Sequence, residues 1–220
     1  MKSYILLIVI VFGLILFSCS NNNSPNSSNT KTIDSVKIGS QVWMVKNLDV
    51  DHYQNGDIIP QVSDSTQWAN LLTGAWCYYN NSDSLGLIYG KLYNWYAVND
   101  PRGLAPIGWH VASDSEWTVL ITYLGGDKVA GGNLKEMDTV HWLSPNTGAT
   151  NSSGFTALPG GYRYNTATFY NIRYLGYWWS TTESDTLNAL TRNIDYDVSK
   201  IGLLTINKGN GFSVRCISNY

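Results

Sequence analysis

Three hydrophobic patterns follow one another along the chain. From Tyr4 to Phe17 the residues are continuously apolar apart from one Gly, and Lys2 stands before them. That run is short for a bilayer span, and with a positive residue ahead of it, it reads as the apolar region of a signal peptide. From Ser20 to Thr32 ("SNNNSPNSSNTKT") no large apolar side chain occurs. Such a stretch has nothing to bury against the entropy cost of folding and is expected to be a flexible tether. From Val36 onward, short alternating and helical periods mark the folded part.

Within it, "VKIGSQVWMVKNL" (Val36–Leu48) predicts a hairpin or two short strands turning at Gly39-Ser40. Asn55-Gly56-Asp57 is a turn. Ser65–Leu72 suits a short helix capped by Ser65. Trp76–Tyr96 reads as strand and loop, with "YGKLYNWYAV" its most regular piece. Ser113 and Glu116 have capping-box spacing; Trp117, Leu120, Ile121 and Leu124 then recur at helical spacing, and Gly125-Gly126 supplies the stop. Lys128–Met137 predicts a second short helix, weakened by Gly131-Gly132. After Phe155 the pattern is strands. Ala189–Tyr196 puts Leu190, Arg192, Ile194 and Tyr196 on one side, and Asn210-Gly211 looks like a hairpin turn before a last strand through Phe212, Val214 and Cys216. No repeat of convincing period is present. The expected class is α+β, with two or three short helices and small antiparallel sheets.

The leader closes with Leu16-Phe17-Ser18-Cys19. This is the order of a bacterial lipoprotein signal: the small Ser18 admits the peptidase, and the Cys19 thiol accepts a diacylglyceryl group. The alternative is an ordinary signal peptide with an incidental cysteine. Acyl chains on Cys19 hold a protein on a membrane at about 0.8 kcal/mol per buried methylene. The expected organisation is a signal peptide over 1–18, a lipidated tether over 19–34 and one folded domain over 35–220. Ser20 is not the Asp that retains such proteins at the inner membrane in enterobacteria. The expected location is therefore the outer membrane or cell surface, with the membrane as partner through the lipid anchor.

Composition sharpens this picture. Among 220 residues, 44% are hydrophobic and only 14% charged, with a net charge of −2, nine Trp and fifteen Tyr. A neutral, aromatic chain of this kind lacks the clustered basic face that a nucleic-acid partner requires.

Little in the sequence points to catalysis. The histidines His52, His110 and His141 stand in no nucleophile motif, and no cluster of His or Cys has zinc spacing. His110 reads as a packing residue or a backbone hydrogen-bonder. Hard-oxygen residues gather in "TTESDTLNALTRNIDYD", where Glu183, Asp185, Asn188, Asn193, Asp195 and Asp197 offer a calcium site or, more plainly, solvated loop polars. Cys77 and Cys216 form either a disulfide or two separate buried thiols. A bond closing so long a loop stabilises by roughly 4–5 kcal/mol in the chain-entropy model.

The densest aromatic stretch is "GGYRYNTATFYNIRYLGYWWSTTE", Gly160–Glu183. Phe169 and one of the adjacent Trp178 and Trp179 are expected in the core, since strand neighbours face opposite ways. Tyr162, Tyr164, Tyr170, Tyr174 and Tyr177 are interleaved with Asn165, Thr166, Thr168 and Asn171 in a segment read as a loop. Tyr beside Asn and Thr is the mixture binding loops use, and ring faces suit sugar C–H faces. A glycan or a surface protein is the expected target.

"GSQVWMVKNL", "YGKLYNWYAV", "APIGWHVASDSEWTVL", "GFTALPGGYR", "GYWWSTTE" and "GFSVRC" occur in this order. Together they resemble the Fibrobacter succinogenes major paralogous domain, common in lipoproteins of that lineage and of Bacteroidetes. The resemblance runs from about Val36 to Ile217. It implies a C-type-lectin-like fold, distantly akin to the formylglycine-generating enzyme domain. The copper-binding cysteine pair of that enzyme has no counterpart at the positions of Cys77 and Cys216, so a binding domain rather than an enzyme is expected. A structural or adhesin-type component with no small ligand is the alternative.

Overall fold

A computed structural model describes residues 33–220. The expected signal peptide, Cys19 and the expected tether through residue 32 lie outside the described residues. In chain order the elements are β1 (Ser35–Ile38), β2 (Gln41–Met44), α1 (Ser65–Ala69), β3 (Trp76–Cys77), α2 (Asp83–Tyr89), β4 (Leu92–Tyr93), α3 (Trp95–Val98), β5 (Trp109–Val111), α4 (Asp114–Tyr123) and α5 (Asp127–Leu134), then β6 (Tyr162–Arg163), β7 (Phe169–Tyr170), β8 (Leu175–Glu183), β9 (Asn188–Asp195), β10 (Ile201–Asn207) and β11 (Cys216–Ser218). Two larger sheets run in the orders β1-β2-β11-β5 and β10-β9-β8, beside the pairs β3-β4 and β6-β7. The fold is α+β. No helix among the described residues is long and apolar enough to cross a membrane.

The strongest local signals form as expected. Ser113 and Glu116 make a complete capping box at the start of α4. Val36–Leu48 folds back on itself as β1 and β2. α1 starts one residue earlier than Ser65 implies, because Asp64 caps it through Gln67 N–H. Five α-helices form among the described residues rather than two or three. The extra ones, α2 of about two turns and α3 of one, are capped by the Ser82 and Asn94 side chains. The last strand does not pair with β10 across Asn210-Gly211. It crosses into the other sheet, between β2 and β5.

Both Trp178 and Trp179 are fully buried, against the expectation of one. β8 has a hydrophobic cluster on each side. Trp178 packs near Trp117 and Phe155, with ring centres 6.3 Å from each. Trp179 packs on Phe212 at 4.5 Å. Each indole N–H is satisfied: Trp178 donates to Asn47 Oδ1 and Trp179 to the Tyr93 carbonyl, both at 2.9 Å.

The interior also holds charge, all of it positive. Among the described residues Lys91, Lys135, Arg163, Arg192, Lys208 and Arg215 are buried, and no Asp or Glu is. Five of these six lie over an aromatic ring: Lys91 over Trp76, Lys135 over Trp142, Arg163 over Trp68, Lys208 over Trp95 and Arg215 over Phe155. Ring faces attract cations; carbonyl oxygens supply hydrogen bonds to Lys135, Arg163 and Arg215, while Lys91, Arg192 and Lys208 bond to the carboxylates of Asp49, Asp114 and Glu183. Burial pulls Lys135 down to about 8, while Asp195 and Asp197 pull it up. Its Nζ lies within 3.1 Å of the Thr147, Asp195 and Val198 carbonyls, which together use the three N–H groups of an ammonium.

Arg215 is the most constrained. Nε donates to Asn47 Oδ1 at 2.8 Å, Nη1 to the Met44 and Phe155 carbonyls at 2.7 and 2.8 Å, and Nη2 to the Thr156 carbonyl at 3.0 Å. Asn47 in turn donates to the Tyr89 carbonyl at 2.8 Å and Ser213 Oγ at 3.2 Å. Asn47→Ala strands the Trp178 and Arg215 donors at once, each worth about 1–3 kcal/mol when unsatisfied. We expect a loss of about 3 kcal/mol or more and a melting temperature lower by about 6–12 °C, read by tryptophan fluorescence.

Candidate functional site

β6 and β7 form a hairpin in which Tyr162 stands opposite Tyr170 and Arg163 opposite Phe169. The two-residue period therefore sends Tyr162, Tyr164 and Tyr170 to one face, and Arg163 and Phe169 to the other. The inner face is clamped. Arg163 donates to the Val62, Ser63 and Ala167 carbonyls at 2.6, 3.0 and 3.2 Å. Its guanidinium sits 4.4 Å from the Trp68 ring centre and 5.0 Å from that of Phe169. Gly161 has φ +62°, and a Cβ there would stand 2.5 Å from the Tyr170 carbonyl oxygen. Only glycine lets the hairpin pass so close. The bridge Gly161↔Gly176 lays the hairpin beside β8, which brings Tyr162 to Tyr177.

The outer face is a contiguous group of rings. Tyr162 lies 5.6 Å from Tyr170 and 5.1 Å from Tyr177, and Tyr170 lies 6.4 Å from Tyr164. Tyr177 stacks on Phe212 at 4.9 Å and 14°. Exposure is 45% for Tyr164 and 43% for Tyr170, while Tyr162 and Tyr177 are half-buried. Burial pushes the Tyr177 hydroxyl up to about 12, with Tyr162 and Asp195 adding to it, and burial likewise raises Tyr162. Both phenols stay neutral donors at ordinary pH. Tyr174 is exposed but separate, its ring edge-on to Tyr196 at 5.4 Å.

Four of the five predicted tyrosines thus meet on one surface, and that surface is a hairpin plus the start of β8 rather than a loop. Phe212 was missed as its support; its place in an alternating strand gave no hint that it would stack under Tyr177. Asn165, Thr166 and Thr168 lie at the hairpin turn, and Asn165 Oδ1 has no hydrogen-bond partner.

The calcium residues do not converge. Asp185 is bound into the β8–β9 turn by the Leu187 and Asn188 N–H groups and the Asn188 amide. Glu183 pairs with Lys208. Asp195 sits at the far end of β9, and no group of three His, Cys, Asp or Glu suited to a metal occurs among the described residues. Cys77 and Cys216 are buried and free, so the structure carries the two separate thiols rather than the disulfide. Burial raises both thiols well above the ordinary range, with Arg163 opposing this at Cys77 and Arg215 at Cys216. We expect Cys77 and Cys216 not to react with thiol reagents in the native protein. After denaturation two thiols should react per chain if Cys19 is acylated, and three if it is not.

A cavity of about 280 Å³ lies elsewhere, lined by Gln54, Leu104, Trp109, His110 and Thr181 among others, with none of the five tyrosines. His110 is tied by side chains rather than by the backbone: Nε2 meets Glu116 Oε1 at 2.7 Å and Nδ1 meets Asn219 Oδ1 at 2.6 Å. Burial pushes the Glu116 carboxyl up, but hydrogen bonds from Ser113 and His110 outweigh it and hold Glu116 below its ordinary 4.5. A carboxyl lowered on folding contributes stability above its unfolded value, which is lost as pH falls through the folded one. Urea midpoints measured between about pH 6 and pH 3 should fall more steeply for the native protein than for Glu116→Gln.

The site is therefore an aromatic hairpin face on an α+β domain, supported from beneath by a buried cation. Residues 36–218 match the family model of the Fibrobacter succinogenes major domain, and the chain belongs to that family. No curated protein and no solved structure matched the chain.

Proposed function

We propose that this is a lipid-anchored envelope protein whose folded domain binds a glycan or a protein at the outer membrane or cell surface, without catalysis. One observation carries the reading: the tyrosines of the β6–β7 hairpin stay outside while nearly every tryptophan goes in. Eight of the nine Trp are buried, yet Tyr164 and Tyr170 remain over 40% exposed beside Tyr162 and Tyr177. A chain that sorts its rings this way leaves rigid, amphipathic area where a partner can use it. The lectin-like relationship implied by the sequence motifs fits such a role. The Leu16–Cys19 motif supports the anchor, and the polar tether supports a head held away from the membrane.

The hydroxyls of Tyr162 and Tyr177 serve as neutral donors, and the rings offer faces to sugar C–H groups. Contact depends little on net charge, so salt should weaken it only slightly. Tyr164→Ala and Tyr170→Ala should each lower glycan-array binding at least tenfold with an unchanged melting temperature. Tyr174→Ala should not, since its ring lies apart with Tyr196. Equal loss from all three, or arrays silent for the native protein, would exclude a glycan on this face.

A further inference from the structure

The tyrosine face does not end at β8. Strand β7 pairs with β6, Gly161 beside β6 bridges to Gly176 of β8, and β8, β9 and β10 form one sheet. Tyr170 stands opposite Tyr162, Tyr177 opposite Asn193, and Asn193 opposite Gly202. Cross-strand partners share a face, so these five residues line one track that runs across the strands. Four strand steps of about 4.8 Å make it about 19 Å long. Its rings are not coplanar: Tyr162 is inclined 35° to Tyr170 and 69° to Tyr177. Beyond them the track turns polar. A Cβ on Gly202 would stand 2.3 Å from Asn193 Oδ1, so the Asn193 amide lies across the glycine. Asp195, two residues along β9, shares that face. Asn193 Oδ1 and Asp195 Oδ1 are both buried without a hydrogen-bond partner. An orphaned acceptor is costly, and the last torsion of Asn and Asp is broad. Either oxygen can therefore turn outward to meet a donor without breaking a bond of its own. The hairpin's charged residue, Arg163, points to the opposite face.

We infer that this track holds one neutral, extended, unbranched oligosaccharide, lying across the strands with its sugar faces on Tyr170, Tyr162 and Tyr177 and its hydroxyls donating to Asn193 and Asp195. The inference rests on the glycan reading of the tyrosine face and extends it to a ligand class. Rings tilted against one another suit a single chain and not a flat crystalline surface. The far end offers acceptors, which need O–H or N–H donors. A proline-rich peptide, another ligand that aromatic grooves take, brings few of these, since proline has no backbone N–H. A sugar chain brings hydroxyl donors on every unit. With a carboxylate at that end and no cation among the track residues, uronates and sulfated sugars are disfavoured by like charge.

The test is isothermal titration of the full chain in detergent micelles. The probes are β-linked gluco-, manno- and xylo-oligosaccharides from di- to hexasaccharide, oligogalacturonate of matching lengths, and a proline-rich peptide. For at least one neutral series, affinity should rise about tenfold or more from disaccharide to hexasaccharide, and oligogalacturonate should bind about tenfold more weakly. Asn193→Ala should weaken the hexasaccharide about fivefold, the worth of one hydrogen bond, and leave the disaccharide unchanged. Tyr170→Ala should weaken both. Asp195→Asn keeps the shape and drops the charge, so it should at least halve the penalty against oligogalacturonate; it decides the matter if Asn193→Ala melts early. Sugar binding that gains nothing with length, equal affinity for the acidic series, or full hexasaccharide affinity in a normally melting Asn193→Ala would overturn the track and leave the glycan reading standing. Silence toward every sugar, with or without capture of the peptide, would overturn both.

Discussion

An arginine shut away from water must find an oxygen for its N–H groups, and most of this structure is arranged around that demand at Arg215. Its acceptors come from the end of β2, from Asn47 just beyond it, and from the Phe155-Thr156 segment. Asn47 brings in the end of α2, Ser213 and the Trp178 indole. Segments far apart in sequence are thereby fixed by polar geometry, where packing alone would tolerate slippage. Buried polar groups are costly when half satisfied, so the arrangement forms as a whole or not at all.

The same logic explains the composition. Few charges and many rings looked like a surface property; the structure shows it to be largely an interior one. Tryptophans sit beneath Lys91, Lys135, Arg163 and Lys208 and share each cation with backbone carbonyls. A carboxylate partner inside would bring a second desolvation cost. A ring face brings almost none. Several Trp and cationic residues in the family motifs therefore serve the core and say nothing of a ligand.

Legibility followed locality. α4 was readable because its cap, apolar stripe and stop all lie within one short stretch, and β9 because its alternation is unbroken. α3 was hidden because a single Asn94 side chain, not a period, turns "NWYAV" from strand into helix. The fate of Trp178 and Trp179 was hidden too: alternation correctly sends them to opposite sides, but only the tertiary structure puts a hydrophobic cluster on both. The Tyr162–Tyr177 group was legible as composition. Its shape was not, since the pairing of Tyr162 with Tyr170 depends on Ala167 adopting φ +75° in the turn, a conformation nothing in "NTAT" announces.

The Arg163 clamp has a consequence for the proposed binding face above it. A hairpin of two-residue strands would, left to itself, flicker between conformations in water. Here its underside is stapled to the Val62–Ser63 backbone, so the hairpin's backbone is held in place beforehand. Binding there, as proposed, would forfeit little backbone disorder, and even a small footprint would retain most of its intrinsic attraction.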